Sequence, residues 1–151
     1  MADETIFARL KEDHDKHRAL LDQIDKTHGD SDGRKELFSR FKTEVTAHAA
    51  AEEETLYATM LEKPDLRDDA QHSVAEHKEI EDYLEELEEM DFSSTGWLTR
   101  FRTMKDSYLH HIDEEEDEMF VHAAKDLSKA TEEKLAAKFE RRKPDELERA
   151  G

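Results

Sequence analysis

The sequence predicts an all-α protein, an up-down-up-down antiparallel four-helix bundle with a short fifth helix at its C-terminal end. Apolar residues recur at alternating steps of three and four along most of the chain, which is the spacing of one helix face. The 151 residues include only two prolines and four glycines, so we expect long uninterrupted helices. Short connections between consecutive helices then make them antiparallel neighbours.

The first helical segment covers about 3–27 and ends at a glycine-containing break. Gly29 and Gly33 mark that break, because glycine is a poor helix former and suits a helix end. Ser31 or Asp32 is expected to cap the next helix, since a short polar side chain can accept a hydrogen bond from the first turn. We therefore place the first turn of the bundle at this break.

The next three segments are bounded by a proline and by a serine-containing break. The second segment covers about 34–61, and Pro64 ends it because proline cannot continue a helix but readily opens one. The third segment covers about 65–90 and the fourth about 95–125. Ser94 lies in the break between them and is a good capping residue.

The rest of the chain is expected to form a short helix packed on the bundle, followed by a tail. We place this helix at about 128–142, with Phe139 on its apolar side, and expect it to end before Pro144. No low-complexity stretch divides the chain. The predicted organisation is therefore a bundle over 1–127 with a C-terminal helix and tail over 128–151.

Composition and charge exclude several functional classes. The formal net charge of −18 repels DNA, RNA and anionic lipids, so we expect neither a nucleic-acid partner nor a membrane partner. The chain has no cysteine, which excludes disulfides, iron–sulfur clusters and thiolate zinc sites. No apolar run has membrane-spanning length and the first residues lack a signal-peptide pattern. We expect a cytoplasmic protein, either a monomer or a weak homo-oligomer.

Histidine and glutamate recur four residues apart in two of the helical segments. His48 precedes Glu52, and His111 precedes Glu115. A step of four keeps both side chains on one helix face, and here that face is the apolar one. A buried carboxylate without a partner is costly, and a metal ion is the simplest partner that would make two of them favourable.

Two further histidines fall at the same depth of the predicted bundle. His14 on the first segment and His77 on the third lie about as far from the helix connections as the two His/Glu pairs do. The four helices therefore place these residues in one layer of the core. A single histidine on an apolar face is usually a hydrogen-bonded core residue, but four histidines with two carboxylates favour a metal site.

Two other side chains are candidates for the surroundings of this layer. His17 shares the face of His14 but lies about one turn nearer the helix connection, so we expect it beside the layer rather than among the ligands. Glu81 repeats the step of four from His77. It is either a third carboxylate ligand or the edge of an ordinary charged face.

Tyr108 lies three residues before His111, so its ring is expected one turn away inside the core. A buried phenol needs a polar partner, which is either the metal with its bound water or peroxide, or a backbone carbonyl. His72 and His110 fall on other helix faces, and we expect neither of them to bind the metal.

The order of these motifs resembles that of the hemerythrin-like HHE cation-binding family. The resemblance covers roughly residues 5–125, and the motifs are specific when taken in order although each is weak alone. The matching pieces are Asp13-His14, His48-x-x-x-Glu52-Glu53 with Leu56-Tyr57, Glu76-His77-Lys78-Glu79-Ile80, and His110-His111-x-x-x-Glu115-Glu116 with Met119-Phe120.

The resemblance implies a non-haem di-iron centre with two iron ions as the cofactor. In that arrangement His14 and His48 bind one iron, and His77 and His111 bind the other. Glu52 and Glu115 bridge the two irons. Bridging carboxylates offset the repulsion between two nearby cations, and imidazole with carboxylate suits iron or manganese. Oxygen-carrying hemerythrins have a fifth histidine where this chain has Ser73, so the coordination would be completed by Glu81, a shifted His72, Tyr108 or water, or would stay open.

The expected function is that of a di-iron protein that binds or reduces oxygen species, namely dioxygen, hydrogen peroxide or nitric oxide. Catalase-like removal of peroxide in stress protection is the enzymatic version, because an iron with an open position can take up a small ligand and two irons can share the electron change. The non-catalytic alternative is an oxygen or iron sensor, or an oxygen store. A structural metal bundle without a redox role is the third class.

Overall fold

Four helical rods form the bundle, and the computed structural model describes residues 4–29 and 32–151 of the chain. Each rod packs against its neighbours in the sequence, and the first also packs against the fourth, which closes the ring and confirms the predicted four-helix bundle. Within the described residues, no helix is both long enough and apolar enough to span a lipid bilayer. In chain order the rods are α1 (Ile6–Asp25); α2 (Asp32–Glu52), continued by a π-helical segment π1 (Glu53–Tyr57) and by α3 (Ala58–Leu61); α4 (Pro64–Glu89); and α5 (Thr95–Glu114), continued by a second π-helical segment π2 (Glu115–Met119) and by α6 (Phe120–Asp126).

The helix ends follow the predicted signals where the structure describes them. Ser94 accepts a hydrogen bond from a backbone N–H in the first turn of α5, and Pro64 is the first residue of α4. Gly29, after α1, has a φ of +59°, which glycine adopts without the steric cost that other residues meet. Asp32 opens α2, whereas Ser31, the other expected cap, lies outside the described residues.

A fifth helix, α7 (Lys129–Ala150), packs against α1 and α2 and is longer than expected. We expected a short helix that ends before Pro144 and a tail beyond it, but the helix continues through this proline. Proline inside a helix removes one backbone hydrogen bond and costs about 3 kcal/mol. Buried side chains on both sides of it, including Phe139 and Glu146, hold the helix against the bundle and offset that cost.

The core consists of two apolar clusters with a polar layer between them. The tail-end cluster lies near α7 and includes Ile6, Leu10, Leu56, Met60, Phe120 and Phe139. The loop-end cluster lies at the other end of the bundle and includes Leu21, Phe41, Leu84, Trp97, Phe101 and Met104. Between these levels the helices bury polar and charged side chains, among them His14, His48, Glu52, His111 and Glu115.

Candidate metal centre

Four histidines, one from each rod of the bundle, lie in the polar layer. His14 on α1 and His48 on α2 are buried, and their ring centres are 5.1 Å apart. His77 on α4 and His111 on α5 form a second pair, with ring centres 5.0 Å apart. The structure therefore brings the four histidines singled out from the sequence together as two pairs.

Glu115 lies between two of these histidines, one from each pair. Its Oε1 is 3.4 Å from Nε2 of His14, and its Oε2 is 3.4 Å from Nε2 of His111. The carboxylate is buried, so water does not compete for its oxygens. Each oxygen of this carboxylate therefore faces a different histidine pair.

Glu52 occupies the corresponding place between the other two histidines. Its Oε1 is 3.6 Å from Nε2 of His48 and 3.3 Å from Nε2 of His77. Like Glu115, it is buried in the layer. Each of the two carboxylates thus lies near one histidine of each pair.

Several buried polar atoms in this layer have no hydrogen-bond partner, namely Nε2 of His14, Nε2 of His48, both oxygens of Glu52 and Oε1 of Glu115. Buried polar atoms are nearly always satisfied, and one left without a partner costs about 1–3 kcal/mol. All of these atoms can donate an electron pair to a metal ion. Donor atoms that converge within 4.8 Å of one another come from His14, His48, Glu52 and Glu115 in one group and from His77, His111 and Glu115 in a second.

A carboxylate behind each histidine fixes which ring nitrogen faces the layer. In the first pair, Nδ1 of His48 donates to Asp13 at 2.8 Å, and Nδ1 of His14 donates to Glu116 at 2.6 Å. An ionised carboxylate can only accept, so the hydrogen lies on Nδ1 and Nε2 is the nitrogen available to a metal.

The second pair is held in the same way. Nδ1 of His111 donates to Glu76 at 2.8 Å, and Nδ1 of His77 donates to Glu53 at 3.2 Å. Histidines that bind metals are ordinarily oriented by such a partner. The four outer carboxylates belong to the motifs that carry the family resemblance, although the sequence alone did not assign them a role.

A model of the family described as the hemerythrin HHE cation binding domain matches residues 5–123. The chain belongs to this family. Its His/Glu layer is a cluster that can hold a metal ion, in agreement with the cation binding for which the family is named.

Two known proteins resemble this HHE domain over most of its length. The crystal structure of a hemerythrin HHE cation binding domain-containing protein from Mycobacterium kansasii has a TM-score of 0.86 and 24% identity, and covers 97% of this chain and 89% of that one. At this identity the likeness shows the fold alone. A DNA nickase from Nostoc sp. is 28% identical over 147 residues, which is 94% of this chain but 40% of the nickase. The chain therefore spans less than half the length of that relative.

Two positively charged side chains of this HHE domain bind Asp13, and one of them comes from α7. Its Oδ1 accepts hydrogen bonds from Arg9 at 2.7 Å and from Lys143 at 2.8 Å, while its Oδ2 accepts the bond from His48. Burial alone would raise the pKa of Asp13, but these hydrogen bonds bring the pKa well below its usual value. Asp13 therefore stays ionised and keeps His48 in one orientation.

The protonation of the metal-free layer follows from burial and close charges. Burial raises the pKa of Glu52 well above its usual value, and the nearby charge of Glu115 adds to the rise. Burial lowers the pKa of His48 to about 4. Burial also opposes the charge on His14, but the nearby carboxylate of Glu115 and the hydrogen bond to Glu116 outweigh it and raise that pKa to about 9. A bound cation would displace the protons that these groups hold.

Tyr57 belongs to the site, although the sequence indicated only an apolar residue at this position. Its hydroxyl donates to Oε2 of Glu115 and is 3.4 Å from Nε2 of His77. The side chain is buried, and its ring stacks on His77 with centres 5.3 Å apart. Ser73 also lies close to this hydroxyl, at the position where the resemblance to oxygen-carrying hemerythrins implied a fifth histidine. The Tyr57 phenol therefore lies on the side of the layer where the sequence left open which group would complete the metal coordination.

The π-helical turns explain why the sequence did not reveal Tyr57. In a regular α-helix, the five-residue step from Glu52 to Tyr57 rotates the side chain about 140° away from the first face. The segment π1 has i→i+5 hydrogen bonds instead, which reduce this rotation. A matching turn, π2, opens at Glu115. Turns of this kind are frequent at functional sites.

His17 and Tyr108 form a hydrogen-bonded pair beside the layer. The Tyr108 hydroxyl is 2.8 Å from Nδ1 of His17, and both side chains are buried. The partner of Tyr108 is therefore neither a backbone carbonyl nor the metal side, the two alternatives expected from the sequence. Burial lowers the pKa of His17 well below its usual value, so this histidine is neutral. Within the described residues, it belongs to neither group of converging donors in the layer.

The remaining candidates lie outside the layer. Glu81 is exposed, and none of the donor groups formed by the described residues includes it. The side chains of His72 and His110 are 58% and 74% exposed, and each contacts Glu114 at the surface. His72 converges with Glu76 and Glu114 in a separate group near the surface, so none of the three residues belongs to the buried donor groups of the layer.

Proposed function

We propose that the layer holds a non-haem di-iron centre. His14 and His48 would bind one iron, and His77 and His111 would bind the other. Glu52 and Glu115 would bridge the two irons. The observation that carries this proposal is the convergence of buried donor atoms that have no other partner. A donor set of imidazole and carboxylate suits iron, and bridging carboxylates reduce the repulsion between two cations.

We further propose that the centre binds and reduces small oxygen species, with catalase-like removal of hydrogen peroxide as the leading activity. Bound iron would supply an open coordination position and the electrons for reduction. The apolar clusters on both sides of the layer keep bulk water away. The Tyr57 hydroxyl donates its one hydrogen to Glu115 and lies next to His77, where its oxygen can accept a hydrogen bond from hydrogen peroxide. These features favour chemistry on peroxide over simple oxygen storage.

DNA is not proposed as a substrate, in spite of the likeness to a nickase. The formal net charge of −18 opposes approach to a phosphate backbone. The likeness covers 40% of the nickase at 28% identity, so it does not carry the activity of that relative over to this chain.

Metal analysis combined with peroxide turnover tests the proposal. The metal-free protein would be loaded with Fe(II) without oxygen, and iron would be measured by mass spectrometry before and after gel filtration. We expect about two irons per chain, an absorption spectrum that changes on exposure to peroxide, and oxygen release from hydrogen peroxide. Stable binding of oxygen species without turnover would favour a sensor or store instead, and failure to retain iron would contradict the di-iron proposal.

A further inference from the structure

A cavity of about 190 Å³ opens between α2 and α4 and reaches the histidine layer. Three of the side chains that line it, His48, His77 and Tyr108, belong to the layer or lie beside it. His48 is 2% exposed and its Nε2 has no hydrogen-bond partner. The inner end of the cavity is therefore polar and adjoins the proposed metal site.

The walls of the cavity are apolar. They are formed by Val45, Ala49 and Ala50 of α2 and by Ile80 and Leu84 of α4. An apolar protein cavity of about 150 Å³ is large enough to bind benzene, whereas one water molecule occupies about 30 Å³ of liquid. The cavity is thus several times larger than hydrogen peroxide or dioxygen requires, and its surface suits a hydrocarbon group.

The mouth of the cavity is acidic. Glu81 is exposed and Glu53 is half-buried at its edge, where both add to the strongly negative charge of the whole chain. Like charges repel an anion that approaches through such an opening. A ligand of this cavity should therefore carry no negative charge.

We propose that the cavity binds the organic part of an uncharged alkyl or aryl hydroperoxide, with a group up to about the size of a benzene ring. The oxygen end of the ligand would face His48 and His77, and the hydrocarbon would contact Ile80 and Leu84. This inference rests on the proposed function for the chemistry of the oxygen end. Binding of the hydrocarbon depends only on the cavity and can be measured without turnover.

Benzyl alcohol, an unreactive analogue of the product, is the probe for this test. Its binding would be measured by ligand-observed NMR and calorimetry on the metal-free and iron-loaded protein, beside benzoate, which has the same ring and a negative charge. We expect benzyl alcohol to bind and benzoate to bind at least about tenfold more weakly, a difference of about 1.4 kcal/mol. Equal binding of the two probes, or no binding of the alcohol, would overturn the inference.

Substitutions in the cavity wall give a second measurement. Ala50→Leu places a larger side chain in the cavity and should weaken benzyl alcohol binding at least about tenfold. Ala75→Leu is the matched control, because Ala75 is exposed on α4 and does not line the cavity. Leu84→Ala enlarges the cavity and should improve the binding of a naphthyl alcohol relative to benzyl alcohol. If Ala50→Leu and Ala75→Leu bind the alcohol equally well, the ligand lies elsewhere.

The outcomes also separate this inference from the proposed function. Alcohol binding that is sensitive to Ala50→Leu in a protein that retains no iron would support the cavity and contradict the di-iron centre. Iron binding and hydrogen peroxide turnover without alcohol binding would support the centre and overturn the cavity inference.

Discussion

At the scale of single residues, each histidine of the layer has one nitrogen tied to a carboxylate and one directed at the centre. The supporting carboxylates differ in their surroundings. Asp13 is 0% exposed and held by two cations, whereas the side chain of Glu53 is 39% exposed and bonds His77 at 3.2 Å. His48 is therefore held more rigidly than His77.

The position of Glu115 predicts that its loss affects both metal ions. Glu115→Gln removes the charge but keeps the size of the side chain, so we expect less than one iron per chain after gel filtration. Glu118→Gln, an exposed neighbour on the same rod, is the control and should retain the iron of the unsubstituted protein. Retention of both irons and an unchanged absorption spectrum in Glu115→Gln would show that this carboxylate does not bridge.

Tyr57 is expected to affect reactivity more than metal binding. Tyr57→Phe keeps the ring and removes only the hydroxyl that bonds Glu115. We expect the variant to keep its iron but to show a shifted absorption spectrum. Its peroxide turnover should be lower by about a hundredfold, the lower end of what a positioned acid–base group contributes to a rate. Tyr83→Phe is the control, because it removes the hydroxyl of a partly exposed tyrosine on α4. Unchanged turnover would limit Tyr57 to packing.

The spacing of residues predicted the histidines and glutamates that the structure brings together, but not all of their neighbours. The steps from His48 to Glu52 and from His111 to Glu115 fit a regular α-helix, so local periodicity sufficed for them. Tyr57 depends on a π turn, for which the apolar pattern gives no signal. The partner of Tyr108 could not be predicted either, because His17 lies 91 residues away in the sequence.

At the scale of elements, α7 contributes to the site as well as covering it. Lys143 is buried and reaches Asp13, which in turn orients His48. The sequence signal of Pro144 is local and indicates a helix end, but the contact between α7 and α1 joins residues 130 positions apart. For this reason the extent of α7 could not be predicted from its own residues.

Removal of the Lys143 charge should weaken both the fold and the site. Lys143→Met leaves Asp13 with Arg9 as its remaining cation, and we expect a loss of about 3 kcal/mol in the free energy of unfolding, the lower end for a broken buried ion pair. Iron should also be lost to a chelator faster than from the unsubstituted protein. Lys134→Met, in an exposed lysine of α7, is the matched control. Equal stability of the two variants in urea unfolding would contradict this role for Lys143.

At the scale of the whole molecule, the stability of the metal-free bundle is expected to fall as the pH rises. The pKa of His14 rises from 6.5 to about 9 in the folded metal-free protein. A group with a raised pKa adds stability below its unfolded value and loses that contribution as the pH rises through the folded value. The free energy of unfolding should therefore fall between pH 6.5 and about 9.

Urea unfolding of the metal-free and iron-loaded proteins across this range provides the measurement. Iron that binds only the folded state should raise stability by mass action, and it should abolish the fall because it replaces the proton on His14. His14→Gln should reduce this pH dependence in the metal-free protein and leave the part that comes from the raised pKa of Glu52. A metal-free protein as stable as the loaded form at every pH would mean that the polar layer is satisfied without a cation.

The division of the core into a tail-end and a loop-end cluster has a consequence for cooperativity. Without a cation, no single ligand joins all four rods in the layer between the clusters, so we expect the two ends of the bundle to open as separate units. Iron shared by all four rods would make them one cooperative unit. Native-state hydrogen exchange should then give different opening free energies for amides near Leu10 and near Phe101 in the metal-free protein, and a single value after iron is bound.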